Sequence, residues 1–213
     1  PADLKGKIFD NCVIAVKPQL IANVVPSYLP FISESACVFS IAAGFSIESL
    51  TKIVGKRPII RMMPNLPAEI GKGVTGYFGN PEASPGDDEL AKLLTESIGL
   101  SLQVLQEEDL DKVTAVAGSG TGYAFEIIRC WIQAAESIGL SADTSREVVL
   151  ATIGGAVDLA SVKSNSIEHL RNSVTSPNGT TAAGLAELRK DESMEKLMKA
   201  TVEAALTRAI ELR

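Results

Sequence analysis

What most constrains the fold of this chain is a change of periodicity near Gln106. Before it, short apolar runs alternate with helical patterns. Cys12 to Val16, Ala36 to Ile41, Pro58 to Met62, Val74 to Phe78 and Leu100 to Val104 read as strands, the first three as buried runs. Helical patterns occupy Leu20 to Leu29, Ile47 to Val54 and Asp87 to Ile98. The last is announced by Pro85-Gly86 and an acidic first turn and is expected to stop at Gly99. Strands alternating with helices predict a mostly parallel α/β sheet over residues 1–106.

After Gln106 the strand signals stop. Helices are expected at Glu107 to Ala117, Gly122 to Ser137, Asp143 to Val162, Ile167 to Ser173, Thr180 to Arg189 and Ser193 to Leu212, so residues 107–213 form an all-α domain. Within the third, Ile153, Val157 and Ala160 recur at helical spacing, and Gly154-Gly155 leaves room for another helix to pack closely. A helical domain with so many apolar positions and few aromatics does not cover its own core. Dimerisation through it is the expectation.

A chain of 213 residues can bury two cores, and 46% hydrophobic with 22% charged residues is the composition of a globular protein. A net charge of -6 with no basic run argues against a nucleic-acid surface. No apolar run is long enough for a membrane span, and no signal peptide is visible. Cys12, Cys37 and Cys130 are far apart, lie in apolar surroundings and lack metal-ligand spacing, so they read as reduced core thiols of a cytoplasmic protein. His169 is the one histidine, which rules out a multi-histidine metal site; it reads as a surface or cap residue.

Three places carry candidate chemistry. In Val174-Thr175-Ser176-Pro177-Asn178-Gly179-Thr180-Thr181 a polar turn opens into a helix whose first amides have no intrahelical partner, which suits a small carboxylate or phosphate. Taken alone it reads first as an ordinary helix entry with Ser176 or Thr180 as N-cap. Strand ends form the second place: Ala15-Val16-Lys17-Pro18, Ala42-Ala43-Gly44 and Met63-Pro64-Asn65 would let a flat ring or a ribose lie against backbone, with Lys17 and Asn65 as polar contacts. The usual pyrophosphate-binding element, a Gly-x-Gly-x-x-Gly turn, reads as missing from the chain. Third, Gly118-Ser119-Gly120-Thr121-Gly122-Tyr123 makes a sharp break that can approach a ligand by backbone.

Together these segments, with Arg61-Met62 ahead of Met63-Pro64-Asn65, closely resemble the pyrroline-5-carboxylate reductases in order and spacing along essentially the whole chain. The resemblance implies reduction of the cyclic imine 1-pyrroline-5-carboxylate to L-proline with NADPH or NADH. It also implies a Rossmann domain, a helical dimerisation domain, and a homodimer or a larger ring of dimers. It starts inside that Rossmann domain, so the first βαβ unit with its glycine-rich turn would lie outside these 213 residues. Carried over by position, Ala15, Val16, Lys17, Pro18, Ala42, Ala43 and Gly44 would line the dinucleotide, with Asn65 near the nicotinamide end. Ser176, Thr180 and Thr181 would hold the substrate carboxylate. Glu107 would lie at the substrate site, with Glu108 in its place if the alignment shifts by one. Ser119 and its neighbours from Gly118 to Tyr123 would wall the place where ring and nicotinamide meet. The resemblance assigns no catalytic nucleophile, proton donor or metal.

This chain departs from the family pattern in three places. Thr121-Gly122 replaces the usual Pro-Ala, Asn178-Gly179 replaces two glycines, and Ser173 replaces an amide side chain. The first keeps open reduction of another cyclic imino acid, such as 1-pyrroline-2-carboxylate. The absent glycine-rich turn keeps open a non-catalytic dimerising homologue.

Overall fold

The computed structural model describes residues 2–212, and the first half is a five-stranded sheet in the order β1-β2-β3-β4-β5. The strands are β1 Phe9–Ile14, β2 Ile32–Ser40, β3 Ile59–Met63, β4 Gly73–Gly79 and β5 Gly99–Gln103. β1, β2 and β3 run parallel, β4 pairs antiparallel with β3, and β5 is parallel to β4. The alternation seen in the sequence thus yields the expected mostly parallel sheet.

Period-two alternation between two covered faces explains why β2 carries the unbroken apolar run Ala36 to Phe39. Val38 points into one core with Ile14, Ile21, Val25, Leu50, Val54 and Ile59. Its neighbours Cys37 and Phe39 point into a second core with Ile60, Met62, Tyr77 and Ala91. Helix α2, Ile47–Val54, covers the first core, and α3, Pro85–Glu96, covers the second. Ser84 and Asp87 close a capping box at the start of α3.

β1 is not the buried strand expected from its sequence. It lies at the sheet edge, four of its first five residues are exposed, Val13 at 53% among them, and a bulge shifts its register between Phe9 and Asn11. A groove of about 240 Å³ lies against it, lined by Leu4, Phe9, Cys12, Val24, Tyr28 and Phe31. The helix expected over Leu20 to Leu29 is also broken. Ile21–Val24 forms a short helix α1, and Val25–Ser27 and Leu29–Phe31 are 3₁₀ turns. Pro26 and Pro30 cannot donate the hydrogen bonds a continuous helix needs, although Ile21 and Val25 remain buried.

Two glycine readings change. Gly99 does not cap α3, which ends at Glu96; it opens β5 at φ +142° opposite Gly73. A Cβ there would land on the Gly73 carbonyl oxygen. The spacing Gly71-Lys72-Gly73-Val74-Thr75-Gly76 matches a dinucleotide fingerprint, yet it leads into β4 rather than a helix. Its Gly73 packs on Ala68 and its Gly76 on Leu110 and Val113, so it is no phosphate cradle.

The second half is helical: α4 Asp109–Val113, α5 Gly120–Ser137, α6 Ala142–Val162, α7 Ile167–Ser173, α8 Thr180–Leu188 and α9 Ser193–Leu212. Two compact units emerge, residues 1–121 with 202–213, and residues 122–201, so the division falls inside α5 and α9. The second unit exposes Phe125, Trp131, Val157 and Val162. Nothing among the described residues approaches Gly154 or Gly155, so the glycine pair does not seat a neighbouring helix within the chain. No described helix is long and apolar enough to cross a membrane.

The cysteines differ from the expectation of three core thiols: Cys37 is buried, Cys12 is half-buried and Cys130 is exposed on α5. His169 is exposed in the first turn of α7, its backbone N–H bonded to the Ser166 cap. Burial pushes the Cys37 thiol up to about 12, and the negative charges of Asp87 and Asp88 add to the shift. At pH 8 it stays protonated. A thiol-specific reagent at that pH should therefore modify Cys37 only as denaturant unfolds the sheet, which mass spectrometry of the labelled peptide would show. Gly99→Ala should destabilise the first unit by at least about 2 kcal/mol, read as a lower urea midpoint.

Candidate active site

Because β1, β2 and β3 are parallel, the segments that follow them leave the sheet at one end. Ala15 and Lys17 are exposed there, Val16 and Pro18 half-buried. Ala42 is buried, and its N–H lies 3.3 Å from Ser40 Oγ. Ala43 is exposed, and Gly44 turns the chain at φ +70° into the Ser46-capped start of α2. A Cβ on Gly44 would lie 2.7 Å from the Leu212 carbonyl oxygen, so both backbone angle and close approach call for glycine.

Asn65 follows β3 and is engaged at both ends of its amide. Oδ1 accepts from the Val74 N–H at 2.8 Å, and Nδ2 donates to the Ala117 carbonyl at 3.0 Å. Its effect reaches the glycine-rich break through that second bond. Residues Thr114–Gly118 form a π-helical turn, closed by the Ser119 N–H donating to the Thr114 carbonyl at 2.8 Å. Such turns are rare and concentrate at functional sites. Ser119 follows directly, half-buried, with Gly120 unobstructed by any neighbour.

Glu107 lies in the loop between β5 and α4. Its Oε1 accepts from Arg61 Nη1 at 2.5 Å and from the Ile47 N–H, at the start of α2, at 2.8 Å. Glu108 occupies the cap position of α4. The first unit therefore brings together Ala15 to Pro18, Ala42 to Gly44 and Asn65 at one sheet end, with the Ser119 break tied to Asn65.

The second unit carries the remaining candidates. Thr175 Oγ1 donates to the Arg171 carbonyl at 2.7 Å, which closes the end of α7. Asn178 then takes φ +59°, a left-handed turn that asparagine tolerates. The N-cap of α8 is Gly179, at φ -82°, rather than Ser176 or Thr180, and among the described residues no side-chain cap bond is made there. A Cβ on Gly179 would collide with Ser176 Oγ. Ser176, Thr180 and Thr181 are all exposed. The helix start thus keeps free amides beside three hydroxyls, which is the arrangement a small carboxylate requires.

Residues 107–212 match the family described as pyrroline-5-carboxylate reductase dimerisation. The chain is 37% identical over 205 residues to pyrroline-5-carboxylate reductase 2 of Bacillus subtilis, covering 96% of this chain and 73% of that protein. This chain belongs to the pyrroline-5-carboxylate reductase family. The Pseudomonas aeruginosa reductase is 36% identical over 204 residues, 95% of this chain and 74% of its own. Among solved structures, a pyrroline-5-carboxylate reductase from Coxiella burnetii superposes with a TM-score of 0.88 at 34% identity, covering 95% of this chain and 76% of that one. The Plasmodium falciparum pyrroline carboxylate reductase, solved with NADP bound, gives 0.85 at 31% identity, with 95% and 77% covered.

In this reductase chain the residue that sequence reasoning left without a role is Arg61. It stands in the middle of an apolar run, Pro58 to Met62, and its side chain is only 6% exposed. A charge inside such a run requires a buried partner, and that was the available signal. Which acid would supply it depended on a contact across 46 positions of sequence.

Asn65→Asp keeps the acceptor for Val74 but sets a carboxylate against the Ala117 carbonyl. Asn65→Ala removes both bonds. Each should cost about 1–3 kcal/mol of stability in urea melts. Hydrogen exchange should accelerate in both at Ser119, and at Val74 only in the alanine variant.

Proposed function

We propose that this chain transfers a hydride from NADPH or NADH to C5 of protonated 1-pyrroline-5-carboxylate, releasing L-proline and the oxidised nicotinamide in proline biosynthesis. The observation that carries this reading is the 37% identity, over 96% of the chain, to a protein named for that reaction. The NADP bound in the Plasmodium relative supports the cofactor.

The residues present fit one half of such a cofactor. Small exposed residues at Ala15 and Ala43, the glycine turn at Gly44 and the exposed Lys17 suit a flat ring and ribose laid against backbone. The only fingerprint-like spacing, Gly71 to Gly76, is used for packing in and beside β4, so no pyrophosphate cradle occurs among the described residues. Reduced nicotinamide supplies the hydride when bound. Ala15 to Pro18 and Ala42 to Gly44 line the dinucleotide, while Asn65 acts on the nicotinamide end through the backbone it fixes.

Ser176, Thr180, Thr181 and the first amides of α8 hold the substrate carboxylate, and Glu107 and Ser119 contact the ring. Orientation supplies most of the acceleration, since a protonated imine is already electrophilic and needs no protein nucleophile. Residues 107–212 assemble the homodimer, and dimers join into a ring.

Imine-dependent oxidation of NADPH by the intact protein tests the reading. Ser176→Ala and Thr181→Val should each raise KM for the imine about 10- to 100-fold, the worth of one or two hydrogen bonds to a charged group, with little change in KM for NADPH. A folded protein that leaves both 1-pyrroline-5-carboxylate and 1-pyrroline-2-carboxylate unreduced would refute it.

A further inference from the structure

Arg61 pairs with Ser40 and Phe78 across the sheet, in the interior of β3. Arginine has five donors and no acceptor, and this one is almost wholly removed from solvent. It cannot reach a bound ligand itself. Its Nη1 instead donates to Glu107 Oε1, the oxygen that also takes the Ile47 N–H.

One oxygen of Glu107 is therefore held by donors from two different elements, β3 and the start of α2. The other, Oε2, makes no hydrogen bond among the described residues, and the side chain keeps 19% exposure. A glutamate on a loop normally samples many rotamers and must be ordered when it binds. Here that ordering is already accomplished in the free protein, and a single partly exposed acceptor is left over.

We infer that Arg61 is a positioning residue for the reductase reaction, holding Glu107 so that Oε2 accepts a hydrogen bond from the ring nitrogen of the imino acid. The inference rests on the reductase reading above. Both reactant and product suit such an acceptor, because the protonated imine carries one N–H and the secondary ammonium of L-proline carries two. The bond is charge-assisted in either case. Arg61 also suits its place better than lysine would, since its planar fork fixes the direction of the donated bond where a flexible ammonium would not.

The test compares wild type, Arg61→Met, Arg61→Lys and the double variant Arg61→Met with Glu107→Gln, all in the intact protein. In Arg61→Met, KM for 1-pyrroline-5-carboxylate and Kd for L-proline should rise about 10- to 100-fold, while KM for NADPH changes less than about twofold. Arg61→Lys should fall between the two. The methionine variant also leaves a carboxylate without its counter-charge, so its Tm should drop. The double variant should recover Tm, because an amide oxygen still accepts from Ile47, without recovering KM or Kd. A merely structural role predicts the opposite pairing. Wild-type KM and Kd in Arg61→Met, recovery of ligand binding together with Tm in the double variant, or an equal rise for NADPH would each overturn the inference. Absence of imine reduction in the wild type would instead overturn the reductase reading and this inference with it.

Discussion

Parallel pairing of β1, β2 and β3 is the constraint on which the rest of the first unit depends. Parallel neighbours force every connection to cross the sheet, so three successive strands deliver three turns to one end. The small residues at Ala15, Ala43 and Gly44 have meaning only because of that arrangement. Both faces of the central strands are then covered, which is why β2 carries Val38 into one core and Cys37 and Phe39 into the other.

Two polar side chains hold the far ends of this scaffold in register. Glu107 ties the loop after β5 to β3 and to the start of α2, and Asn65 ties the loop after β3 to β4 and to the π turn. Each spans a gap that backbone pairing leaves open. The turns beyond the sheet, which have little regular structure of their own, thereby acquire fixed positions relative to the strands.

Much of this was legible in the sequence, and the failures have identifiable causes. The five strands and the long helices followed from periodicity, and α2 and α7 were placed to the residue. β1 was misread because Cys12 to Val16 is as apolar as a central strand, while exposure depends on what pairs beside it. The helix over Leu20 to Leu29 had the right buried face at Ile21 and Val25, but Pro26 and Pro30 outweighed that pattern. Cys130 lies in an apolar stretch of α5 yet is exposed among the described residues. The strand-end turns and the Ser176 to Thr181 segment could be read locally because turn chemistry is local. Arg61 with Glu107, and Asn65 with Ala117, could not, since their partners lie 46 and 52 residues away.

The reversal of direction between β3 and β4 has a kinetic side. The other strand pairs must first close residues 15–31, 41–58 or 80–98, whereas β3 and β4 close only residues 64–72. Shorter closures lose less chain entropy, and local pairings lead in folding. The β3–β4 hairpin, latched by Asn65 Oδ1 on the Val74 N–H, is thus the strand pair whose closure costs this chain the least entropy. The same asparagine that steadies the π turn also fastens that shortest closure.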